Sequence, residues 1–207
     1  MKKLITNIPK NKLNKAIVSS FSPANLGFSN PNLIRDFAGC QISAFESSGL
    51  LFCYITKNQL TLEKKIVREL VDNQIKKITF IGVGIEIGES NLKGFVITDH
   101  VNMSGLNPLR GVNDDKYGVR FPDMSNTYQI DFDENKLTET GLEKAKLLIP
   151  KNIENLSAIE KEALEKNKEL QVISEETYFG VITAKQAGCR IRVIILKEPT
   201  DINSLFT

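Results

Sequence analysis

The sequence predicts an α/β fold, a largely parallel or mixed β-sheet surrounded by helices in a single domain over 1–207. Three observations predict it. Short apolar runs recur that are too continuous to alternate with polar residues, as expected of strands buried on both faces. Amphipathic stretches of helical period lie between them. The 207 residues, 41% hydrophobic and 25% charged, suffice for one well-filled core.

Each element follows from its local pattern. KAIVSS (15–20) and GLLFCYI (49–55) read as short buried strands. LEKKIVRELVDN (62–73) is an amphipathic helix with Leu62, Ile66, Leu70 and Val71 on one face. KKITFIGVG (76–84) is a buried strand ending in glycines, and GFVITD (94–99) another. SAIEKEALEKNKEL (157–170) is a helix with Ser157 as N-cap and Glu160 at the capping-box position. EETYFGVITAKQAG (175–188) is a helix stopped by Gly188, and CRIRVIIL (189–196) closes as a strand. Ligands of such sheets collect at the carboxyl ends of the strands. That makes 19–22, 82–84, 99–102 and the residues past Leu196 the edges to inspect.

Charge and cysteine usage exclude several classes. The net charge of +2, with Lys and Glu intermixed, leaves no footprint for nucleic acid or a membrane surface. Cys40, Cys53 and Cys189 are too few and scattered for a disulfide framework, and without a CxxC pair they do not suggest structural zinc. Buried thiols in a reducing cytoplasm are the simpler reading. Lys2 and Lys3 precede no apolar signal-peptide core, because Asn7, Pro9, Lys10 and Asn11 interrupt it. No stretch approaches transmembrane length. A cytoplasmic protein is expected.

GLNPLRGVNDDKYGVRFPDMS (105–125) has neither helical nor strand period, yet keeps Leu106, Leu109, Tyr117, Phe121 and Met124. A long connection of this kind is functional or disordered, and its apolar content argues for order. Asn102, Asn107, Asn113, Asp114, Asp123 and Asn126 can satisfy its backbone by Asx-type bonds. Arg110 and Arg120 can bridge carbonyls or carboxylates. The apolar residues then need a core or a neighbouring subunit, so the segment reads as a site wall or subunit interface.

TDHVNMSGLNPLRGVNDDKYGVRFPDMSNTY (98–128) resembles the signature of trimeric purine nucleoside phosphorylases, through Asp99, His100, Asn102, Asn107, Arg110, Asn113, Arg120, Met124, Ser125 and Tyr128. Beyond that span the resemblance is loose but collinear. It implies a phosphorylase-type mixed sheet surrounded by helices, assembled as a homotrimer. It implies phosphorolysis, in which inorganic phosphate as co-substrate displaces the base from a purine ribonucleoside to give ribose 1-phosphate. No cofactor and no metal are required. Asp99 and His100 are structural in the family.

The resemblance carries over unevenly. The family's Gly-Ser-Gly phosphate turn faces SSFSPANLG, where Ser20 or Ser22 could serve, but Phe21 and Pro23 replace glycines. An anion nest needs close backbone donors, and proline removes one. The family's Arg-Phe-His run faces CYITKNQLTLEKK, without Arg or His. His100 is the single histidine. The family's base-binding Glu falls nearest Glu154, the candidate catalytic residue, which could equally be a solvated residue before a helix. Its Met-Ser pair falls on Ile173 and Ser174, and its glycine-ended strand on ITFIGVG, so the resemblance makes Ile173 and Gly82 the purine- and ribose-binding candidates and Ser174 a phosphate-binding one. The family's purine-binding Asn becomes Glu198-Pro199.

Three readings remain. The first is an active phosphorylase rebuilt around Ser20, Ser22, Ser174 and Glu154, with Arg35 or Arg68 supplying positive charge. The second is a non-catalytic homologue that keeps the oligomer scaffold and binds a purine, a nucleotide or a protein partner. The third is a metal-dependent hydrolase using Asp99, His100, Asp114 and Asp115. Lost phosphate and purine ligands, each worth roughly 3–4 kcal/mol of barrier, favour the second over the first. Loop-satisfying roles for the acidic residues disfavour the third.

Overall fold

A computed structural model describes residues 13–31, 33–37, 39–56 and 60–206. The interrupted apolar stretch at 1–12, the 57–59 part of the Arg-less run and the side chain of Arg35 lie outside the described residues. Among the described residues, ten strands form one mixed sheet. They are β1 (Lys15–Ser19), β2 (Leu33–Phe37), β3 (Cys40–Phe45), β4 (Leu50–Ile55), β5 (Lys77–Val83), β6 (Ile85–Glu86), β7 (Gly94–Asn102), β8 (Leu142–Ile149), β9 (Leu170–Ile173) and β10 (Arg190–Leu196). Their order is β2-β3-β4-β1-β5-β10-β7-β8-β9-β6. The centre, β4-β1-β5-β10, is parallel throughout. β10 meets β7 antiparallel, and β7, β8 and β9 are again parallel.

The helices α1 (Leu60–Asp72), α2 (Glu134–Thr140), α3 (Ala158–Lys166) and α4 (Tyr178–Gln186) flank this sheet. The pleat divides each strand between two cores. Ala16 and Val18 of β1 join Ile66, Val67 and Leu70 of α1 and Val181 of α4 on one face, while Ile17 joins Phe28, Phe52 and Leu205 on the other. Phe52 and Phe80 are fully buried, each contributing about 1.5–3 kcal/mol. Gly180 lets α4 sit against β5, since a Cβ there would lie 2.3 Å from the Phe80 ring.

The expected strands and helices are present, with corrections. The helix expected over 157–170 ends at Lys166, because Leu170, Val172 and Ile173 leave it to form β9. Its capping box is as expected: Ser157 Oγ accepts from the Glu160 N–H, and the Glu160 carboxylate accepts from the Ser157 N–H at 2.6 Å. The strand at 94–99 continues to Asn102. The hairpin β2–β3, α2, β8 and β9 were not anticipated. β8 is hidden in the sequence by Glu143, Lys144 and Lys146, which interrupt its apolar run. The three cysteines are buried free thiols. Among the described residues, no helix is long and apolar enough to cross a membrane.

Candidate active site at the carboxyl edge of the sheet

The carboxyl ends of β1 and β5 meet the turn that follows β9. The Ser20 N–H donates to the Ile81 carbonyl at 3.1 Å, holding the end of β1 against β5. Ser174 Oγ donates to the Val83 carbonyl at 2.6 Å and accepts from the Glu176 N–H at 3.1 Å. That pins the backbone of Glu176 and aims its carboxylate back at the strand ends. There Glu176 Oε2 accepts from Ser20 Oγ at 2.7 Å and from the Val83 N–H at 2.9 Å. One hydroxyl and one amide converging on one oxygen form an anion nest, and its anion is the chain's own carboxylate. Gly82 makes the room: a Cβ there would sit 2.8 Å from Thr177 Cγ2 and 3.0 Å from Glu176 Oε2. The Phe21 N–H is turned away to Ser19 Oγ at 2.9 Å, so it does not serve the nest.

A second carboxylate stands behind the first. Glu63 of α1 accepts from the Thr177 N–H at 3.0 Å and from the Gly180 N–H at 2.8 Å. These are donors at the start of α4 that the helix itself cannot satisfy. Burial pushes the Glu63 carboxyl up to about 7, against the lowering effect of the Gly180 and Thr177 bonds, and the Glu176 charge adds to the rise. Thr177 is held at φ 70°, a left-handed conformation costly for a β-branched residue. Its buried hydroxyl has no hydrogen-bond partner. Ser19, Ser20, Glu63, Glu176 and Thr177 wall a cavity of about 30 Å³, room for ordered water between the two carboxylates.

The other candidate residues are spread out. Ser22 is bonded outward, its hydroxyl donating to Asn25 Oδ1 at 2.7 Å. Ile173 is buried in β9, paired with Ile85. Glu154 is exposed in the turn before α3, and among the described residues no hydrogen bond joins its carboxylate to Ser20, Ser174 or Glu176. Beside it, the Ile153 N–H donates to Glu175 Oε1 at 2.6 Å. Arg68 stacks on the Tyr117 ring at 4.7 Å rather than pointing at the nest. Glu63, Glu176 and Thr177 were missed in the sequence.

The segment 105–125 is ordered by its own side chains. Asn102 Oδ1 accepts from the Ser104 N–H at 3.1 Å, Asn107 Oδ1 from Leu109 at 2.7 Å, and Asp123 Oδ1 from Ser125 at 2.9 Å. Asn113 Nδ2 donates to the Gly118 carbonyl at 2.9 Å while its Oδ1 accepts from Gln186 of α4 at 2.9 Å. Lys64 of α1 donates to the Pro108 carbonyl at 2.5 Å. Arg110 reaches the Gly105 carbonyl at 3.5 Å, and Arg120 lies 5.4 Å over the Phe121 ring. His100 Nδ1 is 2.6 Å from Tyr128 Oη. Burial lowers the imidazole's pKa, with Asp99 opposing, while Asp99 Oδ1 accepts from the His100 N–H at 2.8 Å. Leu109 is buried and Met124 packs against the core. Leu106 is 46% exposed and Phe121 82%, beside a fully exposed Val112. Among the described residues those three find no core.

Comparison with known proteins agrees with this fold. No family model matches the chain. Purine nucleoside phosphorylase 1 of Bacillus subtilis is 33% identical over 118 residues, 53% of this chain and 41% of that protein. Purine nucleoside phosphorylase of Mus musculus is 45% identical over 56 residues, 26% of this chain and 18% of that protein. The chain therefore spans less than half the length of these curated relatives. Among solved structures, Schistosoma mansoni purine nucleoside phosphorylase in complex with adenosine superposes with a TM-score of 0.71 at 16% identity, covering 90% of this chain and 77% of that one.

Proposed function

Because the chain belongs to the purine nucleoside phosphorylase family, we propose that it is a purine nucleoside phosphorylase-like protein in which phosphorolysis is lost and nucleoside binding on the family scaffold is kept. The supporting observation is the carboxylate in the nest, Glu176 Oε2 on Ser20 Oγ and the Val83 N–H. A phosphate dianion arriving there would meet a negative charge instead of free donors. Displacing that charge breaks two charge-assisted bonds, worth about 1.5–3 kcal/mol each. A purine nucleoside is the ligand class because a structural neighbour was solved with adenosine. The buried free thiols suit a reducing cytoplasm, and no cofactor is called for.

The test combines turnover and binding on the full chain. With inosine, guanosine or adenosine and phosphate, the wild type is expected to release no free base. Titrated with phosphate, the Glu176→Ala variant should show a saturable binding event at the nest that the wild type lacks, whatever heat the two proteins share from elsewhere on the chain. Phosphate-dependent base release by the wild type would overturn the reading and restore the active phosphorylase.

The exposed apolar tip of the loop supports a boundary between copies, a homotrimer in this reading. Phe121, Val112 and Val119 lie together in sequence and are all exposed, and obligate interfaces favour such side chains. Sedimentation equilibrium should give the trimer mass, falling in Phe121→Ser; a wild-type monomer at micromolar concentration would reject the assembly.

A further inference from the structure

We infer that the opposite, amino-terminal edge of the sheet carries a second anion site, one for a small phosphate-bearing molecule. The central strands begin there with Lys15, Lys77 and Arg190, and the register sets these three directly abreast, Lys15 beside Lys77 and Lys77 beside Arg190. Parallel neighbours in register point to one face, with strands about 4.8 Å apart. Two residues further along the same face Arg192 lies beside Thr79. Like charges side by side across a sheet destabilise it. Among the described residues only Asp131 offsets them, 2.9 Å from Arg192 and 3.4 Å from Arg190. Among the described residues Lys77 pairs with no carboxylate. Lys15 donates to the Phe206 carbonyl at 3.2 Å, a dipole rather than a charge. Burial, with Arg192 and Lys77 adding, pulls its ammonium pKa down.

These cations line a cavity of about 300 Å³, ten times the volume of the one at the carboxyl edge. That volume falls at the lower end of small-molecule sites. Four cations against one carboxylate call for a multiply charged anion. The guanidinium fork suits phosphate oxygens, and Gln129 and Thr79 in the wall can bond its substituents. Leu205 and Phe206 close one side with an apolar surface that a base or sugar could cover. The site is about 16 Å from Ser20 along β1, and its occupancy is independent of whether nucleoside is cleaved at the other edge.

The test is calorimetric titration of the full chain with inorganic pyrophosphate and, separately, with ADP, at low ionic strength. Both are expected to bind saturably, ADP more tightly if the natural ligand is a nucleotide and equally if it is an inorganic polyphosphate. Lys77→Met and Arg190→Gln should each weaken binding about tenfold or more, whereas Ser20→Ala should leave it unchanged. Both variants are exposed positions, so their unliganded thermal unfolding should match or exceed wild type, and only their stabilisation by pyrophosphate should disappear. No saturable binding up to roughly 1 mM, or binding indifferent to both substitutions, would overturn the site.

Discussion

The two ends of β1 pose the same electrostatic problem and answer it differently. At Ser20 converging donors are met by Glu176 from the same chain, and the remaining space is about 30 Å³. At Lys15 converging cations are met by one exposed aspartate, and the space is about 300 Å³. A side chain held by its own backbone, as Ser174 holds Glu176, sits at a high effective concentration. An external anion at millimolar levels competes poorly with it. The carboxyl edge is therefore closed by an internal counter-ion, and the amino edge is left to whatever the solvent supplies.

The largest effect should come from undoing the closed end. Glu63→Ala strips the acceptor from the Thr177 and Gly180 N–H groups and leaves a void under α4. Two buried donors without partners cost about 2–5 kcal/mol together, read as a fall in urea midpoint. Arg190→Gln at the open end should show no such fall. The pH dependence sharpens the same contrast. The Glu63 carboxyl, pushed up to about 7 from its ordinary 4.5, keeps its proton in the folded state after the unfolded chain has lost it. Its stabilising contribution is full below about 4.5, declines as pH rises to 7 and is gone above. The decline is worth up to about 3 kcal/mol. Glu63→Gln should remove it. His100, whose pKa is lowered by burial, adds stability as pH rises through its own range, so the difference between wild type and Glu63→Gln isolates the carboxyl. Parallel profiles for the two proteins would place the titration elsewhere.

How much of this was legible follows from what each pattern encodes. Glu63 stands with Ile66, Val67 and Leu70 at i, i+3, i+4 and i+7, on the buried stripe of α1. A carboxylate on an apolar stripe announces a buried partner, and that signal was present in the sequence. Glu176 gave none: its role depends on Ser174 turning the backbone, and a turn's direction has no period. Glu154 was preferred by collinearity alone, and the turn before α3 leaves it in solvent. The Asx bonding of 105–125 was readable because Asn102, Asn107 and Asp123 bond to residues two positions away. The exposure of Leu106 and Phe121 was not, because an apolar residue in a segment without period does not announce whether its own core will cover it. The central strands were legible as apolar runs, while β8 carries Glu143 and Lys144 on exposed positions and a half-buried Lys146, which masked it.

The smallest effect tests the open end directly. Burial raises the Asp131 carboxyl pKa, but the hydrogen bond and charge of Arg192, with Arg190 adding, outweigh that and leave it lowered. The carboxylate is half exposed, so Asp131→Asn should cost only roughly 0.5–1 kcal/mol. The informative quantity is how that loss responds to salt. If Lys15, Lys77, Arg190 and Arg192 repel one another across the register, removing their single counter-ion makes the repulsion worse. A Debye length of about 10 Å at 0.1 M, shrinking to about 3 Å at 1 M, should then relieve it. The penalty should shrink with sodium chloride, and shrink further with pyrophosphate, which should bind the variant more tightly than wild type. A salt-independent penalty would mean Asp131 acts only through local hydrogen bonds to Arg192. The two ends of β1 would then differ in size alone, not in charge left uncompensated.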